Sequence, residues 1–303
     1  MREPVFTTNF GKVYCGDSLQ VLNDIKSNSI DLIITSPPYA LQDKKSYGNP
    51  NQDEYIDWFL QFIRHFRRVI KDTGSIIINI GGSWNKNSPT RSLYNYRLLL
   101  RICDEYQLYL IQDIFWFNPS RFTTSEYALR RKIRLKDTIE YIWWFGKTET
   151  PKSETNKVLL EYSDHFKKTL KFDLAERWST MSYSGLDINS DNLKNNGGSL
   201  PSNMLFSANA DSQDPYFKAC KEKGITPHPA RFPKQIPAFF ISMLTDPNNV
   251  VLDPFGGSLT TGYVCERLNR QWINIELSME YIQGGILRFM DKQKTKTEKG
   301  IFD

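Results

Sequence analysis

Two hydrophobic periods alternate along the first half of this chain. Residues 13–17 are a short apolar run ending at a Gly-Asp turn, and residues 31–35 (DLIIT) read as a buried strand stopped by Ser36, Pro37 and Pro38. Over residues 53–70, Tyr55, Trp58, Phe59, Phe62, Phe66 and Val69 recur at helical spacing, and Gly74 is expected to end that helix. Residues 75–80 (SIIINI) read as the next buried strand. A helix is predicted over 91–106 with Leu93, Leu98 and Ile102 turned inward, followed by aromatic-rich strands over 108–117 and 138–145. Strands alternating with helices predict an α/β layered sheet with helices on both faces.

The pattern breaks over 147–226, where Asn, Ser, Lys and Asp dominate and residues 190–200 (SDNLKNNGGSL) are a loop by composition. A smaller, irregular region is expected there. The α/β pattern then resumes with a helix over 234–245, a strand over 250–253, a helix over 259–269, a strand over 271–276 and a helix over 278–290. The expected division is one domain from 1–146 and 227–290, an irregular region 147–226, and a polar tail 291–303.

Composition changes this picture little. Lys and Arg number 39 against 34 Asp and Glu, a net charge of +5, which leans only slightly toward a polyanionic partner. Hydrophobic residues are 40% and charged residues 24%, which excludes wholesale disorder and collagen-like repeats. Cys15, Cys103, Cys220 and Cys265 form no CxxC pair and show no metal-type spacing with His65, His165 and His228. Free thiols in a reducing compartment are predicted, and no metal site. The first ten residues lack the apolar core of a signal peptide, and no apolar run approaches the ~18 residues of a membrane span. A cytoplasmic protein without a membrane partner is expected.

Candidate chemistry concentrates at two strand ends. Thr35-Ser36-Pro37-Pro38-Tyr39 follows one buried strand, and Val251-Leu252-Asp253-Pro254-Phe255-Gly256-Gly257-Ser258 joins another to a helix. Each has a bland reading: Pro-Pro is commonly a rigid turn, and Gly-Gly before a helix commonly serves packing. Asp253 nevertheless ends its strand at the carboxyl edge of the sheet, where open α/β sheets bind ligands. The glycines allow close approach to the backbone, and Glu276 ends the next strand, where an acid suits ribose hydroxyls. There is no GxGxxG and no P-loop lysine, so a nucleoside cofactor fits better than a dinucleotide or ATP.

The two motifs together resemble those of the DNA amino-methyltransferases, which use S-adenosyl-L-methionine to methylate exocyclic base nitrogens. The resemblance spans residues 12–290, and the motif order is that of the beta group. It implies a Rossmann-like methyltransferase sheet with a target-recognition region at 147–226. It makes Ser36, Pro37, Pro38 and Tyr39 the catalytic tetrad, with Tyr39 stacking on a flipped base. It assigns Asp253, Phe255, Gly256, Gly257, Ser258, Thr260 and Glu276 to the cofactor, with Asp17 toward its adenine and His228, Arg231 and Phe232 toward its methionine part.

The resemblance also implies double-stranded DNA as partner. Lys44, Lys45, Arg121, Arg130, Arg131, Lys132 and Arg134 are candidate DNA contacts. A cognate restriction endonuclease would share the DNA site without binding this chain, and the protein would be a monomer or homodimer. Ser36 at the head of the tetrad favours cytosine N4, with adenine N6 the alternative. No cysteine follows a proline, so cytosine C5 chemistry is disfavoured. Rivals are an inactive DNA-binding module, which the intact tetrad and Glu276 argue against, and methylation of RNA or protein glutamine, against which the irregular region argues. Two positions depart from the family pattern. Leu259 stands where the third loop glycine is usual, and Asn79 stands where some relatives carry an acid, which argues against a serine–carboxylate relay.

Overall fold

The most apolar runs of the sequence form the middle of one sheet. The computed structural model describes residues 2–40, 50–121, 126–164, 197–207 and 214–290. Its strands are β1 (Phe6–Thr7), β2 (Gly11–Cys15), β3 (Ile30–Thr35), β4 (Ile70–Ile80), β5 (Tyr109–Phe117), β6 (Ile139–Gly146), β7 (Met204–Phe206), β8 (Val250–Asp253) and β9 (Gln271–Glu276). The helices are α1 (Ser18–Asp24), α2 (Gln52–Val69), α3 (Tyr94–Tyr106), α4 (Pro215–Glu222), α5 (Gln235–Leu244), α6 (Thr260–Arg267) and α7 (Met279–Met290). Among the described residues the sheet order is β1-β2-β9-β8-β3-β4-β6-β5-β7.

From β2 to β4 every neighbouring pair is parallel, whereas β6 runs antiparallel to both β4 and β5. Parallel strands covered on both faces read as continuous apolar runs, as DLIIT and SIIINI do. Two consequences set up the site. The carboxyl ends of β3, β4, β8 and β9 share one edge. The reversed β6 brings its first residues, Ile139 and Glu140, to that same edge, with Tyr141 opposite Ile80.

Helix α2 supplies the main apolar face. Tyr55, Phe59, Phe62, Ile63 and Phe66 are buried against Ile33, Ile76, Ile78 and Phe145. Burying each such side chain contributes roughly 1.5–3 kcal/mol. Asp53 and Glu54 at its start and Arg67 and Arg68 at its end suit the helix dipole. Arg68 also donates to the carbonyls of Leu22 and Ile25 at 2.6 and 2.7 Å, satisfying the end of α1.

Several expected boundaries move. Helix α2 stops at Val69, and Gly74 lies inside β4 rather than at the helix end. There β3 and β4 shift register, and a Cβ on Gly74 would meet the Asp31 carbonyl at 2.9 Å. The glycine serves close strand approach. Leu93 is 49% exposed rather than inward, because α3 begins only at Tyr94 and Leu93 precedes its first turn. Strands β1 and β7 and helices α1 and α4 had no clear signal in the pattern.

The chain divides into two compact units, Met1–Ser153 with Asn203–Asp303, and Glu154–Ser202. This is narrower than the expected 147–226. Residues 203–226 belong to the larger unit because β7 pairs with β5 and α4 packs on α7. In the smaller unit, Thr155–Val158 form a short 3-10 turn and Leu160 bridges Ser199. The tail 291–303 lies outside the described residues, and no described helix is long and apolar enough to cross a membrane.

Candidate active site

Parallel pairing of β3 with β8 is the founding event of the site, since it joins motifs far apart in sequence. Thr35 Oγ1 donates to Asp253 Oδ1 at 2.8 Å across 218 positions. Both motifs then line one cavity of about 920 Å³ at the carboxyl edge, a volume typical of ligand pockets.

At the cofactor end the acids are tied to amides and hydroxyls of the protein itself. Asp253 is buried, and its second oxygen accepts from Thr261 Oγ1 at 2.6 Å while Oδ1 also accepts from the Phe255 amide at 3.1 Å. Burial nevertheless pushes its carboxyl up to about 6. Its carboxylate therefore staples β3, β8 and the loop. Glu276 accepts from the Gly257 amide at 2.8 Å through one oxygen and from the Ser278 amide at 2.8 Å through the other. Burial raises its carboxyl as well. Gly257 has φ +49°, and a Cβ there would stand 3.3 Å from the His228 ring, so glycine keeps the wall open. Phe255 packs into the α2 aromatics, 4.9 Å from Phe62 between ring centres.

The remaining cofactor candidates line the same cavity. Asp17 caps α1, accepting from the Leu19 amide at 2.7 Å. Ser18 Oγ donates to the Pro254 carbonyl at 2.5 Å and so joins α1 to the glycine loop. His228 stands edge-on to Tyr281, and its backbone amide donates to the Tyr216 hydroxyl at 2.9 Å. Burial lowers its imidazole to about 4, so the ring is neutral near pH 7. Arg231 pairs with Asp214 at 3.0 Å and lies 3.6 Å over the Phe217 ring. Phe232 leans on Trp116. Helix α4 thus scaffolds this wall, a role that the irregular composition of 147–226 did not suggest.

Leu259 occupies the left-handed region at φ +56°, where glycine would be easiest, yet its side chain is fully buried. Room comes from Gly285 on α7, where a Cβ would lie 2.5 Å from Leu259 Cγ. A glycine on the facing helix thus accommodates the bulk of Leu259. Ser258 and Thr260 are buried beside it with their hydroxyls 3.1 Å apart.

At the other end of the cavity the polar groups meet side chain to side chain. Ser36 Oγ donates to Asn79 Oδ1 at 3.0 Å. The Tyr39 hydroxyl lies 2.7 Å from that same oxygen, 2.6 Å from Glu140 Oε2 and 3.3 Å from Ser36 Oγ. Asn79 Nδ2 donates to the Tyr141 carbonyl at 3.1 Å, which sets the orientation of the amide. The Tyr39 ring lies flush against Gly81, where any Cβ would run into it. Burial and the Glu140 charge hold the Tyr39 hydroxyl well above its ordinary range, so it stays protonated. Sequence reasoning missed Glu140. A lone acid at the start of an apolar strand was the available signal.

The candidate DNA contacts separate into three groups. Lys44 and Lys45 lie outside the described residues. Arg121 turns inward, donating to the Ile139 carbonyl at 2.6 Å and the Gly82 carbonyl at 3.3 Å, and so braces the cavity wall. Arg130, Arg131 and Lys132 are exposed, with both arginines near Glu126. Arg134 leaves that surface group, its guanidinium 3.3 Å over the Trp84 ring at the cavity mouth. Trp84 itself lines the cavity, as does the 89% exposed Leu135.

Comparison with known proteins agrees with this architecture. A family described as DNA methylase matches residues 30–287. Type II methyltransferase M.PvuII of Proteus hauseri is 46% identical over 291 residues, covering 96% of this chain and 87% of that protein. M.BglII of Bacillus subtilis is 27% identical, covering 90% and 67%. Among solved structures, the PvuII DNA methyltransferase (cytosine-N4-specific) superposes with a TM-score of 0.78 at 41% identity, covering 96% of this chain and 90% of that one. TTHA0409 of Thermus thermophilus, complexed with S-adenosyl-L-methionine, shares the fold with a TM-score of 0.55 at 17% identity, covering 91% and 92%. With a family match across most of its length and a whole-length relative of this similarity, the chain belongs to the DNA methylase family.

Proposed function

We infer that this protein is a site-specific DNA methyltransferase that transfers a methyl group from S-adenosyl-L-methionine to the N4 amine of cytosine in a short duplex site. One observation carries the reading: Ser36-Pro37-Pro38-Tyr39 and the Asp253–Ser258 loop face each other in a single cavity. The chain's own groups suit such a cofactor. The open wall at Gly257, the neutral His228 and the anchored Glu276 form a cradle that added bulk would fill. Asp17 and Glu276 would hold the nucleoside, and His228, Arg231 and Phe232 the amino-acid part. When bound, S-adenosyl-L-methionine supplies an electrophilic methyl group.

The protein's task is to make a poor nucleophile usable. The cytosine N4 lone pair is delocalised into its ring. Ser36 Oγ and the Pro37 carbonyl accept the amine hydrogens and draw the nitrogen toward tetrahedral geometry. Two prolines stiffen that carbonyl in advance, which is preorganisation. The target leaves the duplex to reach the cavity, and the Tyr39 ring offers a stacking surface worth about 1–3 kcal/mol. Arg130, Arg131 and Lys132 hold phosphates, and the region 147–226, apart from β7 and α4, chooses the site. The product protects DNA from a cognate endonuclease that shares the site, and the work is done in the cytoplasm.

The test is to incubate the protein with radiolabelled cofactor and mixed duplex DNA, then digest to nucleosides and identify the product by mass spectrometry. N4-methylcytosine is expected. N6-methyladenine would overturn the base assignment, and no methylated nucleoside would overturn the activity.

A further inference from the structure

The methylated amine carries an extra proton that must leave, and Asn79, the position next to Ser36 where an acid would serve, cannot take it. A carboxylate does reach the site by another route. Glu140 is the second residue of β6, and because β6 runs antiparallel to β4 its first side chains arrive beside Asn79. Glu140 is 6% exposed, with Oε2 2.6 Å from the Tyr39 hydroxyl and Oε1 3.5 Å from the side-chain amide of buried Asn118.

Counting protons shows what this cluster does. Asn79 Oδ1 and Glu140 Oε2 only accept, and the hydroxyls of Ser36 and Tyr39 hold two protons between them. The ionised acceptor makes the stronger bond, so the Tyr39 proton goes to Glu140. The Ser36 proton then goes to Asn79, 3.0 Å away, or to the Tyr39 oxygen, 3.3 Å away. Either way the Ser36 lone pairs are left for the target amine.

We propose that Glu140 is the carboxylate of this active site, holding Ser36 as an acceptor through Tyr39 and taking up by relay the proton that the amine loses. The inference rests on the activity proposed above. The N4–H bond breaks with its electron pair staying on nitrogen, and the proton bonds to Ser36 Oγ. The Ser36 proton passes to the Tyr39 oxygen, and the Tyr39 proton to Glu140 Oε2. The cationic amine becomes neutral, the carboxylate becomes a carboxylic acid, and nothing is oxidised or reduced. Solvent recovers the proton after product leaves. Glu140 is a positioning residue, since it acts through Tyr39 and touches neither base nor cofactor.

The titratable and charged groups facing Glu140 are Tyr39 after β3, Tyr94 on α3 and Arg121 after β5. Burial raises both tyrosines, so both stay protonated through neutral pH. Asp253, Glu276 and His228 titrate at the cofactor end and are common to every variant below.

The experiment measures kcat against pH, cofactor affinity by calorimetry, and the methylated nucleoside, for wild type, Glu140→Gln, and Glu140→Gln with Asn79→Asp. Glu140→Gln should lower kcat about ten- to hundred-fold, leave cofactor affinity within two-fold, and remove part of the acid limb of the profile. Asn79→Asp in that background should restore at least five-fold, because its carboxylate would stand where Asn79 Oδ1 now lies beside Ser36 and Tyr39. A Glu140→Gln rate within two-fold of wild type, an unaltered acid limb, or no rescue overturns the proposal. Should Glu140→Gln fail to fold, Tyr39→Phe decides, since it cuts the same relay and should flatten the same limb. Wild type that yields no N4-methylcytosine sinks the proposed activity itself. Wild type that yields it, beside an unaffected Glu140→Gln, sinks only the relay.

Discussion

The two ends of the cavity are built on different principles. At the cofactor end, Asp253 is held by the Phe255 amide and the Thr261 hydroxyl and Glu276 by the Gly257 and Ser278 amides, all within one strand–loop–helix and the next strand, while Thr35 of β3 adds a donor to Asp253 from far along the chain. At the target end, Ser36, Asn79 and Glu140 come from three strands and meet only through side chains. Where amides hold a carboxylate, as at Glu276, the site is rigid, since those donors cannot rotate away. A side-chain-held site can redistribute protons among hydroxyls, which is what acid–base work requires. Substitutions at the first should therefore cost stability and affinity, and substitutions at the second should cost rate.

The largest expected effect falls on Asp253. Asp253→Ala leaves the Thr35 and Thr261 hydroxyls and the Phe255 amide without their acceptor in a buried place. At about 1–3 kcal/mol for an orphaned buried donor, the fold should lose about 4 kcal/mol, read by urea denaturation. A loss under 1 kcal/mol would break the view of this end as a structural staple.

Glu276→Ala removes the acceptor for two amides as well as the proposed ribose partner. Cofactor binding should weaken by about 3 kcal/mol, roughly a hundred-fold, in calorimetry. Unchanged affinity would remove Glu276 from the cofactor site.

The cofactor wall should also sense acid. His228 is held at about 4 in the folded protein, below its ordinary 6.5. Its contribution is thus complete above pH 6.5 and is lost as pH falls through the folded value near 4. With solvent screening the loss should be about 2 kcal/mol between pH 6.5 and 4. Comparing the stability of wild type with that of His228→Gln across this window isolates the term. Parallel curves would show that His228 is not the group responsible.

Ser36→Ala should act on rate alone. Methyl transfer should fall at least about ten-fold, near 1.4 kcal/mol, with cofactor affinity near normal. Equal losses of rate and affinity would mean that Ser36 serves both ends, and the comparison would fail.

The smallest effects sharpen the split within the basic run. Arg131 is exposed and should contact phosphate, so Arg131→Ala should weaken all duplexes by under about 1 kcal/mol and flatten the log affinity–log salt slope by about 0.9. Arg134 sits on Trp84 at the cavity mouth, so Arg134→Ala should change rate more than salt slope. Fluorescence-anisotropy titrations at several salt concentrations separate the two. Equal slopes for both variants would put Arg134 back among the phosphate contacts.

The sequence by itself determined the alternating α/β sheet, the strand ends that carry Ser36 and Asp253, the helix of aromatics at 53–70, and the glycine loop with its acid one strand later. Those features are local: hydrophobic period, turn chemistry and short motifs act within a few residues. Only the tertiary structure decided that Gly74 lies within a strand, that α4 from the irregular stretch braces the cofactor wall, and that Gly285 makes room for Leu259. It likewise turned Arg121 and Arg134 away from the exposed cations beside them. Glu140 is the clearest case. Its neighbours in sequence are apolar strand residues, and nothing near it names a partner. Strand direction and register are set by pairing across the whole sheet, and the reversed β6 carries Glu140 to the edge where β3 leaves Tyr39 and β4 leaves Asn79.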